Sequence, residues 1–351
     1  LVICVDDLED FYHCWKVPDT HAHRNHLHGT FAGADFEGFH CYAPELANQQ
    51  VVGCFKSLAM GENMAVELAQ HAHTTILQGV GCMKACDMVA YKTIFPTGPL
   101  HELLAIDDHA TLLRIPRQLR YRPEHRPDLA MFTRAKIGYR QAGLRTSEKK
   151  QFRDVSHHVV LGGEFDGDEG LLGAPRIKVA VLSELTLSLI KIGCCSQALL
   201  QVIIGCWIYV MMFRRPCFSI LTEVFHFGDA SAPNVVERLS PVIKCELLLL
   251  VNYAPLMMTD LRAQPSDHVY SVDASPWGAG IIKSAISKTF SYELFRNADH
   301  RGFFTKLDDK LGAFLTEYNI RDPLAEKCEL TLNLQSVPKS LSEGILFDCL
   351  E

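Results

Sequence analysis

The chain has 351 residues, 48% of them hydrophobic and 21% charged, with a formal net charge of −7. That length supports two or three domains and a substantial core, and the composition excludes a disordered chain; the acidic balance excludes a protein that coats nucleic acid over its whole surface. Thirteen cysteines, an odd number with no CxxC pair, point to reduced thiols in an intracellular, cytoplasmic or nuclear, setting rather than a disulfide framework.

"LVICVDDLEDFYHCWKV" opens with an apolar, β-branched run that predicts a buried strand reaching acidic residues at its C-terminal end. The polar stretch from Pro18 to Asn48 reads as loop and short turns, and its "HAHRNHLH" cluster (His21, His23, His26, His28) lacks the cysteines or the HExxH frame of a zinc site. In the following segment Met64, Ala65, Leu68, Ala69, Ala72 and Ile76 recur at helical spacing, with Gly61 at the helix entrance. "LLAIDDHATLL" then places Asp107 and Asp108 between two apolar runs, the pattern of a β-hairpin tipped by two carboxylates.

A basic tract follows. Between Thr111 and Arg153 twelve Lys or Arg stand against three Asp or Glu, a local +9 that leaves −16 for the rest of the chain. "HHVVLGGEFDGDEGLL" reads as strand, glycine turn, strand, and its acids do not fit the order of an EF-hand loop. Residues 176 to 260 are mostly apolar helical stretches. Within them, 21 uncharged residues from Gly193 to Phe213 have the length of a bilayer span, but Ser196, Gln197, Gln201 and the nearby Lys191 suit a buried helix better, so a membrane partner is not expected. "HVYSVDASPWGAGII" begins a new α/β unit near Ser266. Both ends, at Leu1 and at "GILFDCLE", read as cuts through a longer polypeptide.

Taken together, a strand ending in Asp7, a Gly-led helix, a hairpin tipped by Asp107 and Asp108 and a basic segment occur in that order within the first 150 or so residues. Nucleotide addition by a pair of divalent ions needs carboxylates converging from separate strands, and this order supplies them. Here the sequence resembles reverse transcriptases, specifically the pol region of retrotransposons. "DLEDFYHCWKVP" looks like their first palm motif, "LAMGENMAVELAQ" like the LPxG…Q segment with Gly61 and Gln70 in register, and "AIDDH" like the YxDD box. "GLRTSEKKQF" followed by "HHVVLGG" is similar to the downstream lysine motif and the primer-grip hairpin. Ala105 stands where the family has an aromatic, and Ala59-Met60 where Pro-Gln is common.

The resemblance implies an α+β chain in three parts: a reverse transcriptase palm over 1–160, a ferredoxin-like antiparallel sheet with helices, its fingers missing or truncated; a largely helical thumb and connection over 161–265; and a partial α/β ribonuclease H-like unit over 266–351. It implies an RNA-directed DNA polymerase in which Asp7, Asp107 and Asp108 hold two Mg²⁺ (or Mn²⁺) ions. Asp6 competes with Asp7, but only Asp7 sets Tyr12 at the family's aromatic position, where the ring excludes a ribose 2′-hydroxyl. By the same resemblance Gly61 and Gln70 lie at the nucleotide, Lys149 or Lys150 meets the pyrophosphate, and Asp273 is a first ribonuclease H metal carboxylate; the remaining acids have no motif to place them, and Glu293, Asp308 and Asp309 are candidates only by being acidic. The implied partners are an RNA or DNA template with its primer and deoxynucleoside triphosphates. Two other functions remain open: a catalytically decayed nucleic-acid-binding remnant that keeps the basic surface, and a membrane-anchored interaction protein built on residues 193–213.

Overall fold

The structure, a computed structural model, describes residues 1–40, 42–91, 93–228, 232–275, 278–297, 305–308, 335–338 and 348–349. It is a mixed helix and sheet protein, compatible with an α+β class, and it divides into two compact units, one of residues 1–85 with 99–168 and one of residues 86–98 with 169–351.

The first unit is built on β1 (Val2–Asp7), α1 (Asp19–Ala22), β2 (Phe31–Ala32), β3 (Gln50–Val51), α2 (Ala65–Gly79), β4 (Leu100–Ala105), β5 (Asp108–Leu113), α3 (Pro127–Gln141), β6 (Phe152–Val155), β7 (His157–Val160) and β8 (Gly163–Asp166). Its principal sheet has the order β4-β5-β1-β6, antiparallel at every step. β1 is interior and buried along its whole length, which explains why its sequence is a continuous apolar run rather than an alternation. α2 and α3 pack together, α2 also touching β4 and α3 touching β5. A side chain at Gly138 of α3 would meet Val80 and Ile76 at 3.2–3.3 Å, so the glycine lets the two segments approach.

The helical face of α2 differs from the one expected. Ala65, Ala69, His73 and Leu77 are buried, whereas Met64 and Leu68 are 61% and 53% exposed. The apolar count points to a face displaced from the true one because a histidine holds one of the four core positions. A boundary at residue 160 would cut the β7–β8 hairpin, whose pairs run from His157↔Asp166 to Val160↔Gly163. The unit extends instead to Asp168, where the Leu1 ammonium donates to the Gly167 carbonyl at 2.7 Å and the Gly167 N–H to the Ser156 carbonyl at 2.7 Å.

The second unit contains β9 (Leu171–Gly173), α4 (Arg176–Ile192), β10 (Cys194–Ser196), α5 (Gln197–Met211), β11 (Val236–Arg238), α6 (Pro241–Tyr253), β12 (Met258–Asp260), β13 (His268–Ser275), β14 (Gly278–Ala285), α7 (Lys288–Arg296), β15 (Thr305–Asp308), β16 (Gln335–Pro338) and β17 (Asp348–Cys349). Leu182 and Leu189 of α4, Ile204 and Trp207 of α5 and Leu247 and Leu250 of α6 form one core. Trp207 is fully buried and its indole N–H donates to the Thr186 hydroxyl at 2.9 Å. The stretch Gln197–Ile220 is long and apolar enough to cross a membrane by length and composition, yet one face of α5 is packed into this core. β13, β14 and α7 fall in the same compact unit as the helices. Residues 86–98 join it too, through the Phe95 N–H donating to the Arg296 carbonyl at 3.1 Å.

Candidate active site

Strand pairing decides which carboxylates meet. β1 and β5 run antiparallel with Asp7 directly opposite Asp108 and Asp6 opposite His109. Opposed residues project to the same face and successive residues to opposite faces, so Asp7 and Asp108 share one side of the sheet while Asp6 and His109 share the other. Asp107 is the second residue of the two-residue turn between β4 and β5, and its carbonyl accepts from the Leu8 N–H at 3.1 Å. The three carboxylates singled out in the sequence therefore gather at one end of adjacent strands.

Asp6 is spent on the opposite face. It is fully buried, with one oxygen accepting from Arg153 at 2.6 Å and from Gln151 at 2.7 Å. Arg153 also donates to the Val5 carbonyl at 2.6 Å and lies over the Phe132 ring. This separates Asp6 from the Asp7 group, and it is Asp7 that shares a sheet face with Asp108.

The Asp7 group is electrostatically uncomfortable. Burial, then the charges of Asp107 and Asp7, push the Asp108 carboxyl up to about 6, with the Lys150 charge opposing the rise. Burial and the Asp7 charge raise Asp107 as well, against a bond to its own backbone and the Lys150 charge. Carboxylates crowded in a half-buried place favour a shared proton or a cation. The Lys150 ammonium meets that demand in part, donating to Asp7 at 2.8 Å from a side chain that is 66% exposed; this contact raises the lysine's own pKa. Among the described residues no three His, Cys, Asp or Glu side chains close into a cage around one ion. An open site is nevertheless what Mg²⁺ uses, since it binds through one or two carboxylates and keeps positions for water and phosphate oxygens.

The turn carrying Asp107 is strained. Ile106, at its first position, has φ +57°, a left-handed backbone that costs a β-branched residue about 1–2 kcal/mol. Two residues of α2 hold it. The Ile106 N–H donates to Gln70 Oε1 at 2.7 Å and the Ile106 carbonyl accepts from His73 Nδ1 at 2.7 Å, while Gln70 Nε2 donates to the Leu104 carbonyl at 3.3 Å. At about 1 kcal/mol net per buried hydrogen bond, these contacts offset the strain. The Gln70 amide is thus committed to the hairpin main chain in this structure.

The remaining sequence candidates are dispersed around the group. Tyr12 is half-buried on the 3₁₀ turn Phe11–Cys14, beside the fully packed Phe11. Gly61 has φ +87° with no atom within 4 Å of an added Cβ, so backbone conformation requires the glycine and the space before it is open. Lys149 is exposed on the turn Glu148–Lys150. In the second unit Asp273 pairs with Gly280 in the β13–β14 hairpin, and Glu293 is tied to Arg296 at 2.8 Å. Asp308 ends β15, and Asp309 lies outside the described residues. His21 of the histidine cluster forms an ion pair with Glu62.

The basic tract divides. Arg126 is buried against Asp128 and Asp154, both at 2.7 Å, and Arg120 binds Asp154 and Ser156 at 3.1 and 3.0 Å, so these cations hold the unit together. Arg114, Arg140, Arg145 and Lys149 are exposed. Sequence reasoning missed the buried polar group formed by Glu102, His109, Tyr139 and His73; its one visible sign is polar residues standing where the strand and helix periods require apolar ones.

No family model matches the chain, and no curated protein matches it. The chain is similar to solved structures of the foamy viral protease-reverse transcriptase. The likeness to the complex with double-stranded DNA has a TM-score of 0.49 at 12% identity, covering 80% of this chain and 48% of that one. The likeness to the complex with an RNA/DNA hybrid has the same score and identity, covering 80% of this chain and 31% of that one. The chain therefore spans less than half the length of these structures. Likeness at this level assigns neither a family nor a chemistry.

Proposed function

We propose that the first unit is a template-directed nucleotidyltransferase palm of the reverse transcriptase type, acting on a primer 3′ end with deoxynucleoside triphosphates. The observation that carries this reading is the pairing of Asp7 with Asp108 across adjacent strands, with Asp107 on the adjoining turn. In the reaction the 3′-hydroxyl gives up its proton to solvent, its oxygen bonds to the α-phosphorus, the bond from that phosphorus to the oxygen bridging to the β-phosphorus breaks, and pyrophosphate leaves. Asp7, Asp107 and Asp108 are the residues to hold Mg²⁺ or Mn²⁺. Such ions, when bound, supply activation of the hydroxyl and neutralisation of the triphosphate. Lys150, exposed and resting on Asp7, can turn to the leaving pyrophosphate once Asp7 is otherwise engaged. Arg114, Arg140, Arg145 and Lys149 offer phosphate contacts that carry no sequence information and weaken with salt.

A second reading, a nucleic-acid-binding remnant without chemistry, draws on the Lys150–Asp7 pair, which sets an ammonium where a divalent ion is required. Primer extension on RNA and DNA templates, with duplex binding measured in parallel, separates the two. The polymerase reading expects product with Mg²⁺ or Mn²⁺ that Asp108→Asn abolishes while duplex binding persists. Binding without product under either ion refutes it and leaves the remnant.

A further inference from the structure

A buried polar chain crosses the first unit and ends on the Asp107 turn. The Met83 N–H donates to Glu102 Oε2 at 2.6 Å; Glu102 Oε1 lies 2.8 Å from His109 Nε2; His109 Nδ1 lies 3.2 Å from the Tyr139 hydroxyl; that hydroxyl lies 3.0 Å from His73 Nε2; and His73 Nδ1 donates to the Ile106 carbonyl at 2.7 Å. Glu102, His109 and His73 are fully buried and Tyr139 is 1% exposed.

Hydrogen-bond bookkeeping fixes the direction of this chain. A buried imidazole favours its neutral form, and burial brings His73 down to about 4 despite the opposing Ile106 carbonyl. A neutral His73 that donates from Nδ1 must accept at Nε2, so the Tyr139 O–H donates there. The Tyr139 oxygen can then accept from His109 Nδ1–H, and His109 Nε2 faces Glu102 Oε1. With His73 neutral, every polar group along the line is satisfied in this arrangement, and a satisfied buried network holds its geometry.

Helix-borne residues do not by themselves require such a connection. What requires it is Ile106: the peptide that His73 holds belongs to the residue of the hairpin turn with the left-handed backbone, immediately before Asp107. We propose that His73, seated by Tyr139 and seconded by Gln70, is a positioning residue that clamps the strained Ile106 turn and thereby holds Asp107 and Asp108 in register with Asp7 for cation binding. The part concerning cations rests on the nucleotidyltransferase reading; the clamp itself does not.

A double-mutant cycle tests it. His73→Leu removes the donor to the Ile106 carbonyl, His73→Asn restores a donor near the Nδ1 position, and Ile106→Gly removes the strain that the clamp opposes. Urea unfolding of the full chain reads the clamp: His73→Leu lowers the midpoint in the parent and lowers it much less in Ile106→Gly. Mn²⁺ titration without nucleotide reads its consequence: His73→Leu weakens Mn²⁺ binding about tenfold, His73→Asn stays within about threefold of the parent, and affinity for a primer duplex moves less than twofold. If His73→Leu does not fold, Gln70→Met enters the same cycle. Equal midpoint losses in both backgrounds, or His73→Asn as impaired in Mn²⁺ binding as His73→Leu, overturn the clamp. A coupled urea cycle in a chain that binds no Mn²⁺ upholds the clamp and refutes the metal-dependent reading, so the two failures are distinguishable.

Discussion

Replacing Asp108 by asparagine removes a charge that the fold does not welcome, and the gain must depend on pH. The native carboxyl titrates near 6, raised first by burial and then by the Asp107 and Asp7 charges, against about 3.9 in an unfolded chain. Between those values the native state holds more protons than the unfolded one, so stability falls as pH rises through about 4 to 6 and the whole cost is present above 6. Two pH units correspond to about 2.7 kcal/mol. The group is only half-buried and solvent screens it, which brings the expected effect to roughly 1 kcal/mol. Urea unfolding of parent and Asp108→Asn at about pH 4.5 and pH 8, in chelator, measures it. The variant should gain little at the lower pH and roughly 1 kcal/mol at the higher. A difference that does not change with pH, or a variant less stable than the parent at pH 8, would show that Asp7, Asp107 and Asp108 are not crowded as described.

The same charge crowding predicts that Mg²⁺ raises the melting temperature, by an amount that grows as pH passes about 6 and that shrinks in Asp108→Asn; at ten times the dissociation constant the stabilisation is about 1.4 kcal/mol. A shift of equal size in parent and variant would place the ion elsewhere. Lys150→Met removes the ammonium competing for Asp7, so Mn²⁺ affinity rises a few-fold with little change in unfolding midpoint, because the lysine is largely exposed; calorimetry showing weaker binding would contradict this. Arg126→Met leaves Asp128, fully buried, without its bidentate partner, and should cost about 3–5 kcal/mol in urea unfolding; a loss under 1 kcal/mol would mean that Asp128 finds another donor.

The carboxylate group was legible in the sequence because each of its parts has a short-range signature. β1 is a β-branched run ending in acid, and the Asp pair sits between apolar runs of the length a hairpin needs. Antiparallel pairing of those strands then brings Asp7 opposite Asp108. The sequence preference for Asp7 over Asp6 rested on the spacing to Tyr12; in the structure the alternation of strand faces puts the two on opposite sides of the sheet. What stayed hidden depends on long-range partners. His73 holds a core position on α2, Glu102 and His109 sit inside strands, and Tyr139 lies on α3; nothing local marks them as one network. The division of the basic tract stayed hidden for the same reason, since net charge does not distinguish Arg126, buried on Asp128, from Arg145 in solvent. Gln70 was placed at the nucleotide by its motif, and the hydrogen bonds of its side-chain amide in the structure go to the hairpin main chain.

The central proposal is that Asp7, Asp107 and Asp108 line one open cation-binding place, and site-directed cleavage tests it without relying on activity. With Fe²⁺ in place of Mg²⁺ and ascorbate with peroxide added, hydroxyl radicals cut the backbone nearest the bound ion. Fragment masses should show two cuts, one beside residue 7 and one beside residues 107–108, both suppressed by excess Mg²⁺ and by Asp108→Asn. Cutting at neither place, or at only one of them with the other untouched, would contradict the account.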